Sequence, residues 1–320
     1  MASTQELTRR IKSIKSTRKV TRAMQMISAA KMRKSQAATV ASRTYSELAL
    51  ELVSSLRSAA SGKGIVSGAR ADDIPSYIKL LSPNASSVKT LVVVISTNKG
   101  LVGGFNSNLF AQIKKIEETY DSNNLEYIIM GRKAMDMAVR MRRKVVADFA
   151  KSENIPSIQQ IVPVARLITD LFVQGGYNSV HIVYNHFIST LSQQARTVQL
   201  LPLSLSHDDP VEVVEVGELA AKSLQPATSN QQPDPLIEPS PEKVLSHLLP
   251  KVLESQLYQT LLESDASEHS ARMIMMKNAT ESAGDLIADL TLTFNQLRQN
   301  KITTELSEIT AGKIALEGTN

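Results

Sequence analysis

The sequence predicts an α/β protein in which long, antiparallel N- and C-terminal helices form a coiled-coil shaft on an α/β base domain. Two observations predict the helices. Residues 1–61 contain neither Gly nor Pro, and residues 251–316 contain no Pro and only two Gly. Each stretch could form one helix of roughly 55 to 70 residues, on the order of 80 to 100 Å long. A third observation, the alternation of strand-like and helix-like segments between the two stretches, predicts the base.

The apolar residues of the two terminal stretches recur at helical spacing. They step by three and four residues, which places each set on one narrow face of a helix. Narrow stripes on helices of this length need a partner helix, so the two helices are expected to pair along them. The sets are Leu7, Ile11 and Ile14; Val20, Met24 and Ile27; Tyr45, Leu48, Leu52 and Leu56; Leu286, Leu290, Thr293 and Leu297; and Ile302, Leu306 and Ile309.

The middle of the chain has a different pattern of apolar residues. Short runs rich in Val and Ile alternate with helical stretches, which favours a parallel sheet covered by helices, a Rossmann-like base. The expected strands are 90–96, 126–131, 144–149 and 179–184, with a fifth candidate at 196–204 that would add at an edge. The expected helices are 105–120, 132–142 and 158–174.

Glycine and proline also set the expected domain boundaries. Residues 226–241, before the last helix, carry five of the 12 prolines, which is typical of a linker or surface loop. The predicted organisation is a shaft helix at 1–61, a connector at 62–87, the base at 88–204, a Pro-rich loop at 205–241 and a second shaft helix at 242–320.

Composition limits the classes of function. Because Cys is absent, disulfides, thiolate metal sites and Cys nucleophiles are excluded. No apolar run reaches the roughly 18 residues of a spanning helix, and the N-terminus lacks the apolar core of a secretory signal. Residues 1–34 hold ten Lys or Arg against Glu6 alone. A basic helix of this kind can face nucleic acid, an anionic membrane, an acidic protein surface or simply water.

Two features resemble chemical sites, but neither carries the full pattern of one. The segment 100–108 is Gly-rich and joins a strand to a helix, but it lacks the spacing of nucleotide-binding glycine loops. It is better explained as a tight turn with Asn106 or Ser107 near the helix N-cap. His181 and His186 lie five residues apart in or beside one strand, which places them on opposite faces and argues against a shared metal. No cofactor and no metal are expected.

Both ends and the middle of the chain carry a known pattern. Residues 7–24, followed by Ala-Ala-Lys-Met-Arg-Lys at 29–34, resemble the N-terminal helix of the gamma subunit of F-type rotary ATP synthases. Residues 302–312, Ile-Thr-Thr-Glu-Leu-Ser-Glu-Ile-Thr-Ala-Gly, resemble that family's C-terminal signature. The segments 267–273, 295–299 and 99–106 match as well. The resemblance spans nearly the whole chain except about 205–240.

The resemblance implies a function and a set of partners. In that family the helix pair is the central-stalk rotor inside a ring of alpha and beta subunits, and the base binds the epsilon subunit and the membrane rotor ring of c subunits. One non-catalytic copy per complex couples proton flow to ATP synthesis or hydrolysis. The absence of an evident transit peptide favours the cytoplasmic face of a bacterial plasma membrane, with the chain bound peripherally. The positions that match the family's ring-contact and coupling residues are Met24, Arg272, Arg298, Gln299, Thr303 and Glu308.

Two alternatives stay open at the level of sequence. A basic coiled-coil protein that binds nucleic acid would explain the charge, although no aromatic stacking residues or groove-reading motif are evident. A nucleotide-dependent α/β enzyme would explain the base, although a phosphate loop and an acid–base set are missing. One departure from the family pattern is Lys313, which follows the glycine of the C-terminal signature where Ala is usual.

Overall fold

A five-stranded sheet and two very long helices dominate the computed structural model, which describes residues 4–61, 78–84, 87–203 and 241–317. The Pro-rich segment and most of the connector, whose boundaries the sequence predicts, lie outside these residues. The helices are α1 (Thr4–Ser61), α2 (Phe105–Thr119), α3 (Arg132–Arg140), α4 (Ile158–Val173) and α5 (Pro241–Glu317), and the strands are β1 (Thr90–Ile95), β2 (Leu125–Met130), β3 (Val145–Phe149), β4 (Ser179–Phe187) and β5 (Gln193–Leu201).

The sheet has the order β3-β2-β1-β4-β5. The first four strands are parallel, and β5 pairs with β4 in antiparallel orientation at the sheet edge. All six residues of β1 are buried, as expected for a central strand covered on both faces. The predicted strands and base helices are confirmed to within a few residues at their ends, including the edge position of the fifth strand.

The sheet separates two apolar cores. Leu91, Val93 and Ile95 pack on one face with α4 and with the sheet-facing residues of α1 and α5. Val92 and Val94, which alternate with them, pack on the other face with α2 and α3. Because side chains alternate along a strand, one continuous apolar run serves both cores.

The two histidines of β4 follow the same alternation. His181 Nε2 lies 3.2 Å from the hydroxyl of Tyr120, at the end of α2. His186 Nδ1 lies 2.9 Å from the carboxylate of Glu263 on α5. The prediction that they occupy opposite faces is therefore confirmed.

The helix α5 is longer than the Pro-free stretch at 251–316. It starts at Pro241 and continues through Pro250. An interior proline costs about 3 kcal/mol through its missing N–H and its clash with the preceding turn. The neighbouring Leu249, Val252 and Leu253 are each at most 1% exposed. Their burial against the sheet offsets that cost and keeps the helix continuous.

The chain divides into two compact units. The central unit, Ala30–Ala271, holds the sheet, α2 to α4 and the adjoining parts of α1 and α5. The terminal unit consists of Met1–Ala29 and Arg272–Asn320, and so contains the start of α1 and the end of α5.

Candidate interaction surface on the long helices

Within the central unit, α1 and α5 are held together by small polar side chains. Ser35 Oγ donates to Asp265 Oδ2 at 2.6 Å, and Ser42 Oγ donates to Gln259 Oε1 at 2.7 Å. Farther along, the hydroxyls of Ser46 and residue 255, also a serine, lie 2.6 Å apart. The number falls along α5 as it rises along α1, so the two segments are antiparallel, as predicted.

The terminal unit shows the same antiparallel pairing with very little core. Thr280 Oγ1 donates to Thr21 Oγ1 at 2.7 Å, and a Cβ added at Gly284 would lie 3.4 Å from the Arg18 guanidinium. Small residues at the contact allow the helix backbones to approach closely. The buried residues described in this unit are Leu7, Ser28, Met276, Thr280 and Ala283.

Most of the predicted apolar stripes do not form the contact between the helices. Leu7 is buried and Ile11 and Ile14 are half-buried, as expected for a packed stripe. The prediction is wrong for nine large residues of the other stripes, which are 48–69% exposed, whereas Met24, Leu290 and Leu297 are half-buried and the side chain of Leu56 lies outside the described residues. The contact face of α1 is instead its small polar one, and this leaves the large residues facing outward. These exposed residues are Val20, Ile27, Tyr45, Leu48, Leu52, Leu286, Ile302, Leu306 and Ile309.

The end of α5 is the most exposed part of the described chain. Every residue from Lys301 to Lys313 is exposed. Ile302, Leu306 and Ile309 are 48%, 60% and 69% exposed, and their spacing of four and three residues places them on one helix face. An apolar stripe left in water on a long helix indicates a partner surface outside this chain.

The six predicted coupling residues all lie in the terminal unit. Met24 and Arg272 are half-buried, whereas the other four are exposed. The hydroxyl of Thr303 donates to the carbonyl of Gln299 at 3.0 Å, which brings these two together on successive turns. Arg298 lines a shallow groove of about 310 Å³ beside the start of α1.

The six residues do not form one compact site. The 26-residue separation between Arg272 and Arg298 on α5 corresponds to about 39 Å along a helix. Glu308 lies a further ten residues beyond Arg298. They are therefore distributed along an extended surface, as a long interface requires, and not gathered around one reacting group.

The start of α1 presents a dense positive surface. Seven exposed Lys and Arg side chains fall within residues 9–22. Between residues 4 and 22, the described start of α1, the acidic residue is Glu6, which forms an ion pair with Arg10 at 2.8 Å. Such a surface raises the local concentration of an acidic partner and speeds its association. The basic residues are Arg9, Arg10, Lys12, Lys15, Arg18, Lys19 and Arg22.

In the central unit, the carboxyl edge of the parallel strands is where doubly wound α/β proteins bind ligands, at the point where the strand order reverses. Here that point lies between β1 and β4. Ala271 of α5 packs against Val102 and Phe105 in the Gly-rich turn after β1. The hydroxyl of Ser270 donates to the carbonyl of Thr190 after β4, at 2.7 Å. Thus α5 itself fills the crevice.

The Gly-rich turn also differs from its predicted capping. The N-cap of α2 is Gly104, without a side-chain hydrogen bond, and neither Asn106 nor Ser107 caps the helix. Asn106 Nδ2 instead donates to Thr97 Oγ1 at 2.9 Å. The asparagine therefore fastens the turn to the end of β1, and the helix begins one residue before it.

The perturbed titrating groups have structural causes. Hydrogen bonds from Tyr177 and Lys89 hold the pKa of Glu126 below its ordinary value. Burial lowers the pKa of His181, and burial with the nearby carboxylate of Glu263 raises that of Tyr184. In the part of the chain that the structure describes, these groups lie in separate places and do not form an acid–base pair around a cavity.

Neither a metal cluster nor a membrane span appears among residues 4–61, 78–84, 87–203 and 241–317. No group of three or more His, Asp or Glu side chains in those ranges could hold a metal ion. No helix there is long and apolar enough to cross a bilayer.

Comparison with known proteins decides the family. A family model described as ATP synthase matches residues 3–316. The ATP synthase gamma chain of Opitutus terrae is 36% identical, over 98% of this chain and 99% of its own length. The gamma chain of Roseiflexus castenholzii is 35% identical over 99% of both chains. That of Heliobacterium modesticaldum is 36% identical over 99% of this chain and all of its own.

The chain belongs to the ATP synthase gamma chain family. Solved structures agree on the fold. A chain in the rotor of the Euglena gracilis mitochondrial ATP synthase superposes with a TM-score of 0.59, over 93% of this chain and 98% of its own, at 16% identity. A chain in the central stalk and c-ring of the Tetrahymena thermophila enzyme gives 0.54, over 81% and 99%, at 21% identity.

The gamma-subunit prediction is thus confirmed over nearly the full length of the chain, and with it the α/β fold carrying long helices. Nothing in these matches favours the nucleic-acid-binding alternative. The individual roles of Met24, Arg272, Arg298, Gln299, Thr303 and Glu308 stay predictions.

Proposed function

We propose that this chain is the non-catalytic rotor of an F-type ATP synthase, one copy per complex. The paired ends of α1 and α5 turn inside a ring of alpha and beta subunits. The base is carried by the epsilon subunit and the membrane ring of c subunits, and proton flow drives the rotation. The observation that supports this most directly is the exposed end of α5, where every residue from Lys301 to Lys313 is exposed.

The geometry suits a shaft that must turn. Long helices without breaks provide stiffness, and α1 runs for 58 residues and α5 for 77. The basic start of α1 attracts acidic loops on the ring without fixed, dry contacts. The outward stripe at Ile302, Leu306 and Ile309 slides in an apolar sleeve, since apolar contact is non-directional.

The filled crevice supports a non-catalytic role. Where related α/β folds leave space for a nucleotide, Ser270 and Ala271 of α5 occupy the strand ends. The sheet then serves to attach the helix pair to the base. The nucleotide chemistry belongs to the ring subunits. Isolated chain is therefore expected to bind ATP weakly or not at all.

We assign the six coupling positions to ring contact. Arg272, Arg298, Gln299, Thr303 and Glu308 offer hydrogen bonds and charges along α5, and Met24 offers a compliant apolar contact on α1. Most of these side chains are exposed and polar, so each contact can be broken at low cost as the rotor advances.

Location and domain organisation follow from the same proposal. The complex sits at the cytoplasmic face of a bacterial plasma membrane, and this chain is bound there peripherally through its partners. The shaft helices occupy 1–61 and 242–320, the base 88–204, and the segments 62–87 and 205–241 connect them.

Co-expression with the cognate alpha and beta subunits tests the proposal. Co-elution at one chain per three alpha and three beta subunits, with ATP hydrolysis that depends on this chain, is the expected result. Elution of the chain alone, with hydrolysis unchanged, would overturn the rotor assignment.

Two substitutions then test the assigned contacts. Gln299→Ala and Thr303→Ala are expected to lower hydrolysis in the assembled complex. Thr119→Ala is the matched control, because Thr119 is also exposed and donates to the carbonyl four residues earlier, but lies on α2 in the base. Equal activities in all three variants would remove the proposed roles of Gln299 and Thr303 while leaving the family unchanged.

A further inference from the structure

A buried ionic cluster lies near residue 271 of α5, where the central unit ends. Lys151, just after β3, has a side chain that is 2% exposed. Its Nζ lies 2.6 Å from Glu268 Oε2 and 3.7 Å from Asp265 Oδ1, both on α5. Asp265 in turn accepts the hydrogen bond from Ser35 on α1. We call Lys151, Asp265, Glu268 and Ser35 the buried joint.

The joint is anchored in the base through backbone contacts. Asn98, after β1, donates from its amide to the carbonyl of Lys151 at 2.7 Å. The same amide group accepts the backbone N–H of Arg132, at the start of α3, at 3.3 Å. Lys151 is therefore held by the ends of three neighbouring strands. Its side chain contacts α5 directly, and it is linked to α1 through Asp265.

A second set of polar contacts, centred on Glu263, lies next to the joint in the sequence of α5. The carboxylate of Glu263 on α5 meets the ring of His186 at 2.9 Å and the hydroxyl of Tyr184 at 3.3 Å, both from β4. Gln259, which accepts from Ser42 of α1, donates to the same carboxylate at 3.3 Å. The polar contacts of α5 therefore reach β4 and α1 as well as Lys151.

The rest of the contact between α5 and the sheet is of a different kind. Between Leu245 and Leu261 the residues of α5 that pack into the core with the sheet are apolar, and the polar Glu254 and Ser255 are buried in the same stretch. Apolar contact supplies stability but little directional preference, whereas ion pairs and hydrogen bonds require particular angles and distances. A buried ion pair contributes little net stability compared with a well-packed apolar set, and its best attested use is to specify register.

We propose that Lys151 is a positioning residue that fixes the rotational register of α1 and α5 on the sheet, so that torque passes between base and shaft without slip. The inference rests on the rotor function proposed above and goes beyond it by locating the joint. Glu268 and Asp265 are the partners on the helix, and Ser35 extends the constraint to α1.

The test uses the complete complex with the alpha and beta ring fixed to a surface. Because the chain has no Cys, Asn123→Cys in the base gives a unique site on this subunit for a rotation probe. The variant Lys151→Met/Asp265→Asn/Glu268→Gln removes every charge of the joint while nearly preserving volume. Its matched control, Lys133→Met/Asp136→Asn, removes an exposed ion pair of α3.

We expect the angular variance of the probe during a catalytic dwell to rise by about two-fold in the triple variant, with thermal unfolding little changed. The control should match the unsubstituted chain in both measurements. Equal variance in the triple variant and the unsubstituted chain would overturn the proposal, as would an equal rise in the control. A lower unfolding temperature with unchanged variance would show a structural role alone and would also overturn it.

Two further measurements separate the possible failures. If the triple variant does not fold, Glu268→Gln alone keeps Lys151 and Asp265 together and should raise the variance by a smaller factor; unchanged variance there contradicts the proposal. If the unsubstituted chain does not assemble with the ring or does not rotate, the rotor function itself fails. If it rotates and only the variance prediction fails, the joint is wrong and the rotor function stands.

Discussion

The exposed stripe at the end of α5 gives a quantitative prediction for Leu306→Gln. Full burial of a leucine side chain stabilises by about 1.5–3 kcal/mol, and Leu306 is 60% exposed in the free chain. Contact with an apolar sleeve can therefore still contribute about 1–2 kcal/mol. Losing it should weaken binding to the ring roughly 5- to 30-fold. Gln and Leu have similar helix propensity, so the free chain should keep its stability.

The assay titrates each chain into alpha and beta subunits and follows recovery of ATP hydrolysis. Thr304→Gln, on the opposite side of the same exposed helix, is the control and should leave the affinity unchanged. If Leu306→Gln binds as tightly as the unsubstituted chain, the stripe makes no apolar contact with the ring. If instead the free variant unfolds at a clearly lower temperature, the stripe is packed within the chain and the argument from exposure fails.

Three predictions concern the chain by itself. Ser35→Ala removes a hydrogen bond to the buried Asp265 carboxylate, and should lower the free energy of unfolding in urea by about 1.5–3 kcal/mol; a smaller loss would mean that water replaces the hydroxyl. Gly131→Ala places a Cβ 2.5 Å from a backbone carbonyl oxygen at φ 104°, and should cost about 3 kcal/mol or more. Gly100→Ala, with open space around its Cβ, should stay within about 0.5 kcal/mol in the same denaturation series, and equal losses would contradict the steric argument. Glu126 has a lowered pKa, so its contribution to stability is complete above the ordinary value of 4.5 and is lost as the pH falls through the lowered value. Glu126→Gln should therefore flatten the acid side of the stability profile, and an unchanged slope there would refute this.

Much of the fold could be predicted because its signals are local. The strand β1 is an uninterrupted apolar run, and this is what a strand buried on both faces requires. The length of α1 follows from the absence of helix breakers. Pro250 shows the limit of that reasoning, since the packing of distant residues against the sheet decides whether a helix tolerates proline.

The contact between α1 and α5 could not be found from apolar periodicity. Apolar periodicity predicts that the large residues pack between the helices, but the contact is built mainly from small polar ones. The sequence does contain a signal for this contact, since small residues recur every seven positions along α1. They are Thr21, Ser28, Ser35, Ser42 and Ala49. A heptad of small residues is easily overlooked, since hydroxyl side chains are usually counted as solvent-facing.

The buried joint was also invisible to sequence reasoning, for a different physical reason. A lysine shortly after an edge strand normally faces water, and nothing near Lys151 in the chain signals otherwise. Its burial depends on Asp265 and Glu268, more than 100 residues later. Only the folded path of α5 across the strand ends brings these charges together.

The same path of α5 places the helix at the ligand-binding edge of the sheet and attaches it there. A doubly wound sheet offers its best crevice where the strand order reverses, between β1 and β4. By placing Ser270 and Ala271 in that crevice, α5 gains fixed contacts with loops from both strands. A bound nucleotide would have to displace the helix and break the contacts that hold it. Ligand binding and mechanical attachment therefore exclude each other at this position, and in this chain the attachment is built.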